Sequence, residues 1–144
     1  MDEIMTDIEI DGSPEAVWAV LTDFEAYPEW NPAMEIDGDA VEGDRLEVTM
    51  DYENVRKMTF NPRVLVADRP TELRWQGRLF VSGLYDGEHR FELTSLDDGE
   101  RTRLTQAEAF RGVLVGFINR RIGDDVEAGF NQVNEALKRR VENS

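Results

Sequence analysis

Apolar and polar residues alternate over several short segments of this chain, beginning close to the N-terminus. Over residues 3–10, Ile4, Ile8 and Ile10 fall on one face, and acidic residues fall on the other. A period of two residues is typical of a β-strand that buries one face. The same alternation predicts further strands over residues 34–36, 45–52, 58–66, 72–76, 88–96 and 101–110.

The segment after the first strand carries the signature of a helix start. Ser13 suits the N-cap, Pro14 suits the first helical position, and Glu15 suits the first turn. The aromatic segment 24–32 predicts one further short turn of helix before Pro28. Two short helices are therefore expected directly after the first strand.

The last third of the chain changes to a helical period. Apolar residues recur every three or four positions, at Leu114, Ile118, Ile122, Val126, Phe130, Val133 and Leu137. That spacing predicts one long amphipathic helix over residues 113–141. No linker, repeat or low-complexity segment divides the chain, so residues 1–144 are interpreted as a single domain.

The predicted order is a strand, two short helices, five or six antiparallel strands and one long helix. This order resembles the helix-grip fold of the START-like (SRPBCC) superfamily, which includes polyketide cyclase-like proteins. The resemblance rests on "SPEAVWAVLTDFEAYPEWNP", on "PTELRWQG", and on "GEHRFEL" followed by "TRLTQAEAFRG". It implies an α+β fold in which a curved antiparallel β-sheet wraps around the long C-terminal α-helix. It also implies a cavity between sheet and helix for a hydrophobic small molecule, which some members carry or sense and others cyclise or dehydrate.

Composition narrows the possible partners. The 31 acidic and 16 basic residues give a net charge of −15, which disfavours nucleic acid as a partner because phosphates are repelled. Fourteen of the basic residues are Arg and two are Lys, a balance that resembles proteins of salt-loving microbes and indicates a halophilic source. The chain has no Cys, no run of about 18 apolar residues and no secretory leader. We therefore expect a cytoplasmic protein without disulfide, metal, cofactor or membrane span.

The only histidine lies on the apolar face of a predicted strand. In "DGEHRFEL", His89 and Phe91 alternate with charged residues. A tight turn around Gly99 places Glu108 opposite His89 and Gln106 opposite Phe91, and a loop of four residues gives the same register. Three polar side chains, His89, Gln106 and Glu108, are therefore predicted to meet on the concave face within hydrogen-bond reach.

Three interpretations of this polar cluster stay open. In the first, the cluster orients an amphipathic ligand in a mostly apolar pocket. In the second, His89 and Glu108 form the general acid–base pair of a cyclase or dehydratase. In the third, the three groups satisfy one another in the core or meet solvent at the rim of the sheet.

Large apolar residues are the candidate walls of such a pocket. Trp75, Phe91, Tyr52 and Phe60 share the predicted concave face, although aromatic residues there are also typical of a plain core. Because these residues are predicted to lie near the polar cluster, they are candidate ligand-binding residues.

The mouth of the pocket has its own candidates. Trp30 lies between two prolines and suits a mouth residue, and the segments 79–85 and 110–117, "LFVSGLY" and "FRGVLVGF", suit an entrance. The first segment also supports a different class of function, a protein-interaction module of the co-chaperone or stress-response type. The sequence is compatible with a monomer and with a homodimer.

Overall fold

The computed structural model describes residues 2–79 and 83–144, and these ranges contain eight strands and two α-helices. The strands are β1 (Asp2–Ile10), β2 (Met34–Asp37), β3 (Glu47–Met50), β4 (Met58–Phe60), β5 (Arg63–Asp68), β6 (Glu72–Leu79), β7 (Tyr85–Leu96) and β8 (Arg101–Arg111). The helices are α1 (Pro14–Thr22) and α2 (Val115–Glu142), and a 3-10 helix, Phe24–Glu29, follows α1. The predicted α+β fold, with two short helices after the first strand and one long C-terminal helix, is confirmed.

The described strands form two antiparallel sheets. The larger sheet has the order β1-β8-β7-β6-β5 and is the curved antiparallel sheet that the sequence predicts. The other three strands form a second sheet in the order β2-β3-β4. The break between the sheets falls between β4 and β5, where Pro62 has no N–H to donate to a ladder. The backbone N–H of Leu46 donates to the carbonyl of Pro62 at 2.9 Å, which holds the two sheets together at this point.

Helix α1 begins where the capping signature predicts. The hydroxyl of Ser13 accepts a hydrogen bond from the backbone N–H of Ala16 at 3.1 Å. Pro14 is the first helical residue, where its missing N–H costs nothing. The helix packs against α2, β7 and β8, and this contact closes one side of the core.

Helix α2 lies across the larger sheet and packs against β1 and β8. Its predicted apolar stripe faces inward, and Phe130, Val133 and Leu137 are each at most 3% exposed. A Cβ at Gly129 would overlap the ring of Tyr52, so glycine lets this ring approach the helix closely. Within the described residues, no helix is long and apolar enough to cross a membrane.

Candidate functional site

The hairpin formed by β7 and β8 brings the predicted polar residues together. His89 pairs with Glu108 and Phe91 pairs with Gln106, so the predicted register is confirmed. The connection is a loop of four residues, 97–100, which gives the same register as a two-residue turn because it adds one residue on each side.

His89 is buried in a cage of aromatic rings. Its side chain is 1% exposed, and its ring stacks on Trp75 with the centroids 5.1 Å apart. The ring centroids of Phe91 and Phe130 each lie 4.9 Å from that of His89. In such a dry environment hydrogen bonds to the imidazole are strong, and an unpaired polar group is costly.

Each ring nitrogen of His89 has a hydrogen-bond partner. Nδ1 lies 3.0 Å from Oε1 of Glu108, and Nε2 lies 3.0 Å from Oε1 of Gln106. The amide of Gln106 donates to Oδ1 of Asn134 at 2.7 Å, and the amide of Asn134 donates to the hydroxyl of Thr6 at 2.8 Å. The hydroxyl of Thr6 then donates to the backbone carbonyl of Gln106 at 2.8 Å. We call these five residues the polar network.

The backbone carbonyl of Phe130 fixes the direction of this network. A carbonyl oxygen can only accept, so Gln106 must turn its NH₂ group toward that carbonyl, 3.1 Å away. Oε1 of Gln106 then faces His89, and Nε2 of the imidazole must carry a proton. A second proton lies on the line between Nδ1 and Oε1 of Glu108, in either an imidazolium–carboxylate pair or a neutral pair. In both forms Oε1 is engaged with the histidine.

An apolar pocket opens between the two sheets next to the polar network. Its apolar walls come from Val48, Met50, Phe60, Pro62 and Trp75, and its charged lining residues are Arg78 and Glu108. With its open mouth the pocket encloses about 380 Å³, and its inner space is about 30 Å³, enough for about two water molecules. The expected cavity lay between sheet and helix, whereas this pocket is formed by strands, because Phe91 and Leu137 fill the space beneath α2.

Glu108 connects the polar network to the pocket. Its side chain is 12% exposed and that of His89 is 1% exposed, so the carboxyl group is the part of the pair that reaches the pocket. A Cβ at Gly87 would overlap Oε2 of Glu108, which means that glycine makes room for the carboxyl group. Within residues 2–79 and 83–144, no hydrogen-bond donor contacts Oε2.

Two tyrosines lie within electrostatic reach of the Glu108 carboxyl group. Burial and, secondly, the charge of Glu108 raise the pKa of Tyr52 and of Tyr85 above the ordinary phenol value. The hydroxyl of Tyr85 donates to Oδ1 of Asn119 at 2.5 Å. The hydroxyl of Tyr52 is buried and has no partner among the described residues. Both phenols are thus kept neutral beside an acidic group.

The predicted site residues occupy three different positions. Those that line the pocket are Trp75, Phe60 and Glu108. Those that are buried outside its lining are His89, Gln106, Phe91 and Tyr52. Trp30 alone among them lies against the C-terminal end of α2, where it lines a separate surface depression with Arg139 and Arg140.

The expectation that Trp30 forms the mouth of the pocket is therefore corrected. Its ring packs on Tyr27 with the centroids 4.9 Å apart. The following residue, Asn31, accepts hydrogen bonds from the backbone N–H groups of Ala33 and Met34 at 3.0 and 2.9 Å. The proline-punctuated segment thus supports the corner between the 3-10 helix and β2.

The sequence interpretation missed three residues that build the site. Thr6 has the same strand parity as Ile4 and Ile8, so it was detectable as a polar residue on an apolar face. Asn134 lies four residues after Phe130 in the helical stripe and was detectable in the same way. Gly87 carried no signal of its role.

The two segments predicted to flank an entrance lie side by side. The backbone N–H groups of Val113 and Leu114 donate to the carbonyls of Gly83 and Leu84 at 3.1 and 2.9 Å. Residues 80–82 of the first segment lie outside the described residues. The contact places the start of α2 beside the strand β7 that supplies Gly87 to the pocket.

Comparison with known proteins agrees with this architecture. The family model described as "Polyketide cyclase / dehydrase and lipid transport" matches residues 1–142. The structure is similar to protein MLL2253 from Mesorhizobium loti, with a TM-score of 0.76, 19% identity, and coverage of 99% of this chain and 98% of that one. It is also similar to the ZhuI aromatase/cyclase from Streptomyces sp. R1128, with a TM-score of 0.75, 17% identity, and coverage of 98% and 93%.

A further similar structure is a protein from Arthrobacter aurescens, with a TM-score of 0.76, 17% identity, and coverage of 99% of this chain and 87% of that one. No functionally curated protein matches the chain. At these identities the solved structures agree on the fold and carry no information about the ligand.

Proposed function

We propose that this chain, which belongs to the polyketide cyclase / dehydrase and lipid transport family, binds a small hydrophobic or amphipathic molecule in the pocket between its two sheets. One observation carries the proposal. One carboxyl group, that of Glu108, reaches a mostly apolar pocket, and a buried histidine holds it there at 3.0 Å. A mostly apolar pocket with few convergent polar groups is the usual form of a small-molecule site.

The energetics of Glu108 support this proposal. A carboxyl group at an apolar wall costs free energy unless each of its oxygens finds a partner. His89 satisfies Oε1, and the partner of Oε2 must come from outside the described residues, as water or as the polar end of a ligand. Gly87 makes room for the carboxyl group at this wall, at the expense of strand propensity.

The size of the pocket limits how a ligand sits in it. Small-molecule sites commonly measure about 300–1,000 Å³, whereas the inner space here is about 30 Å³ and the whole depression about 380 Å³. The body of the ligand therefore lies in the mouth, and only its end reaches Glu108. Met50 at the wall is an unbranched side chain that can adapt its rotamer to such a body.

A second candidate function is a cyclase or dehydratase reaction at the same carboxyl group. The observation that favours it is the 3.0 Å contact between Nδ1 of His89 and Oε1 of Glu108, across which a proton can pass. In this scheme Glu108 is the acid or base that touches the substrate, and His89 exchanges the proton with it. The His89→Gln variant is then expected to lose turnover of the identified ligand while it retains binding.

Native mass spectrometry of the purified protein tests the binding function and names the ligand class. We expect the native spectrum to show a co-purifying small molecule. We also expect the neutral dye Nile red to bind at one site when it is titrated into the protein. Met50→Trp fills the pocket mouth and should abolish both, whereas Met5→Trp, at a position on β1 that is 52% exposed, should change neither. Nile red binding that survives in Met50→Trp, or that is absent from the wild type, contradicts the proposal.

The proposal extends to the setting of the protein. We place the protein in a cytoplasm of high salt, as a monomer or a homodimer. It does not bind nucleic acid, because its net charge of −15 repels phosphates. The interaction-module hypothesis predicts instead an association that depends on concentration and is indifferent to the Met50→Trp change. Sedimentation velocity over a range of concentrations, together with the Nile red titration of the same sample, separates the two, because only the binding function predicts dye binding that Met50→Trp abolishes.

A further inference from the structure

We infer that the ligand group that meets Glu108 is a hydrogen-bond donor, a hydroxyl or an ammonium group, and that the pocket rejects a carboxylate at this position. The inference rests on the proposed function and adds the chemical class of the ligand. It follows from the direction of the polar network, which leaves Oε2 of Glu108 as an acceptor.

The first step concerns the proton on His89. Gln106 turns its NH₂ group toward the carbonyl of Phe130 at 3.1 Å and its oxygen toward Nε2 of His89 at 3.0 Å. Nε2 is therefore a donor in every form of the imidazole. Rotation of the Gln106 amide would place its oxygen against the carbonyl oxygen of Phe130, two acceptors in contact, and its NH₂ group against the N–H of His89, two donors in contact, so the arrangement is locked.

The second step concerns the proton that His89 shares with Glu108. The 3.0 Å contact between Nδ1 and Oε1 holds one proton, and that proton sits on nitrogen in the ion pair and on Oε1 in the neutral pair. Oε2 carries no proton in either form. It therefore presents lone pairs to the pocket in both forms, and a hydrogen-bond donor on the ligand would satisfy it.

The third step concerns the surroundings of Oε2. The absent side chain of Gly87 makes room for this oxygen itself at the pocket lining, and no donor among the described residues contacts it. The nearby walls from Val48, Met50 and Trp75 are apolar. A hydroxyl or ammonium group placed there gains a hydrogen bond to a charged or strongly polar acceptor, whereas a carboxylate meets lone pairs at short range and in a low dielectric.

Arg78 defines the rival orientation. Its side chain is exposed and belongs to the lining of the same pocket. A carboxylate ligand could pair with this guanidinium at the mouth and direct its apolar body inward. The two orientations differ in which charged residue controls affinity, and this difference makes the inference testable.

The test uses four probes with the same phenyl body: ethylbenzene, phenethyl alcohol, phenethylamine and phenylacetate. Dissociation constants are measured by NMR titration of the ¹⁵N-labelled full chain, for the wild type, Glu108→Gln and Arg78→Gln. We expect the alcohol and the amine to bind at least about tenfold more tightly than phenylacetate, because each donates a hydrogen bond to Oε2, whereas the carboxylate of phenylacetate cannot donate. Glu108→Gln should remove the preference for the amine, and Arg78→Gln should leave the ranking unchanged.

The outcomes separate the inference from the proposed function. If phenylacetate binds best and Arg78→Gln weakens it, the pocket binds ligands in the opposite orientation and the inference is wrong. If ethylbenzene binds and the head groups make no difference, the pocket function stands and the inference is also wrong. If none of the four probes binds the wild type, the proposed function is wrong, and the inference is wrong as well. If Glu108→Gln fails to fold, the order of the four dissociation constants for the wild type still tests the inference.

Discussion

Nδ1 of His89 lies 3.0 Å from Oε1 of Glu108, yet only the carboxyl side of this pair reaches the pocket. The imidazole is enclosed by Gln106 and by aromatic rings, so any proton that it exchanges with the pocket passes through Glu108. This arrangement explains how a polar pair persists in an apolar interior, because each buried nitrogen has a partner.

The buried histidine is expected to contribute strongly to stability. His89→Leu introduces an apolar side chain of similar size and leaves Oε1 of Gln106 and Oε1 of Glu108 without their histidine partner. We expect the free energy of unfolding to fall by about 2–4 kcal/mol, from two unsatisfied polar groups. Urea unfolding measures this loss, and a loss below about 0.5 kcal/mol would show that the polar network does not hold the core together.

The helix residue of the polar network has a matched control on the same helix. Asn134→Leu removes one hydrogen-bond partner from Thr6 and one from Gln106, and it is expected to lower the free energy of unfolding by about 1–3 kcal/mol. Asn131→Leu makes the same exchange at an exposed position of α2 and is expected to stay within about 0.5 kcal/mol of the wild type. Equal losses in thermal or urea unfolding would contradict the assignment of Asn134 to the network.

Two glycines of α2 should respond to alanine with opposite signs. Gly129→Ala places a Cβ in the ring of Tyr52, and we expect a loss of about 1–3 kcal/mol from this overlap. Gly123→Ala meets only a side-chain atom of Asn119 at 4.0 Å, so it should stabilise the protein by up to about 1 kcal/mol through helix propensity. Thermal unfolding of the two variants provides the comparison, and stabilisation by Gly129→Ala would disprove the close contact.

The raised pKa of the buried tyrosines predicts that the free energy of unfolding depends on pH in the alkaline range. Burial is the main cause that raises the pKa of Tyr27, Tyr52 and Tyr85, and these are the three tyrosines of the chain. The unfolded chain releases the phenol protons near pH 10, whereas the folded chain retains them. The resulting stability is complete below about pH 10 and is lost as the pH rises above it.

Ultraviolet absorbance of tyrosinate checks this prediction. The folded protein should show no tyrosinate signal between about pH 10 and pH 11, and three tyrosines should titrate together when the chain unfolds. Titration of one or more tyrosines near pH 10 in the folded protein would mean that their burial is not maintained in solution.

The elements that were predictable from the sequence are those set by local rules. The pairing of His89 with Glu108 followed from a strand period of two and a tight turn, since either loop length gives the same register. The cap at Ser13 and the stripe of α2 followed from spacing alone. Such patterns fix which residues share a face, and they do so without knowledge of the tertiary structure.

The position of the pocket was not predictable because it depends on how separate elements meet. The division into two sheets at Pro62 moves the pocket away from α2 and places Met50 and Phe60 against Trp75. The rotation of α2 about its axis decides that Asn134 joins Gln106. The prolines around Trp30 suggested a residue at the pocket mouth, yet Trp30 lies beside the C-terminal end of α2, away from the pocket.

The most direct test of the central claim is an NMR map of where a small apolar molecule binds. Phenethyl alcohol is titrated into the ¹⁵N-labelled protein, and the shifted amide signals are placed on the structure. The account predicts the largest shifts at Gly77, Gly87, Glu108 and the indole of Trp75, which surround the pocket between the sheets. Shifts centred instead on Trp30 and Arg139, at the depression beside the end of α2, would contradict it.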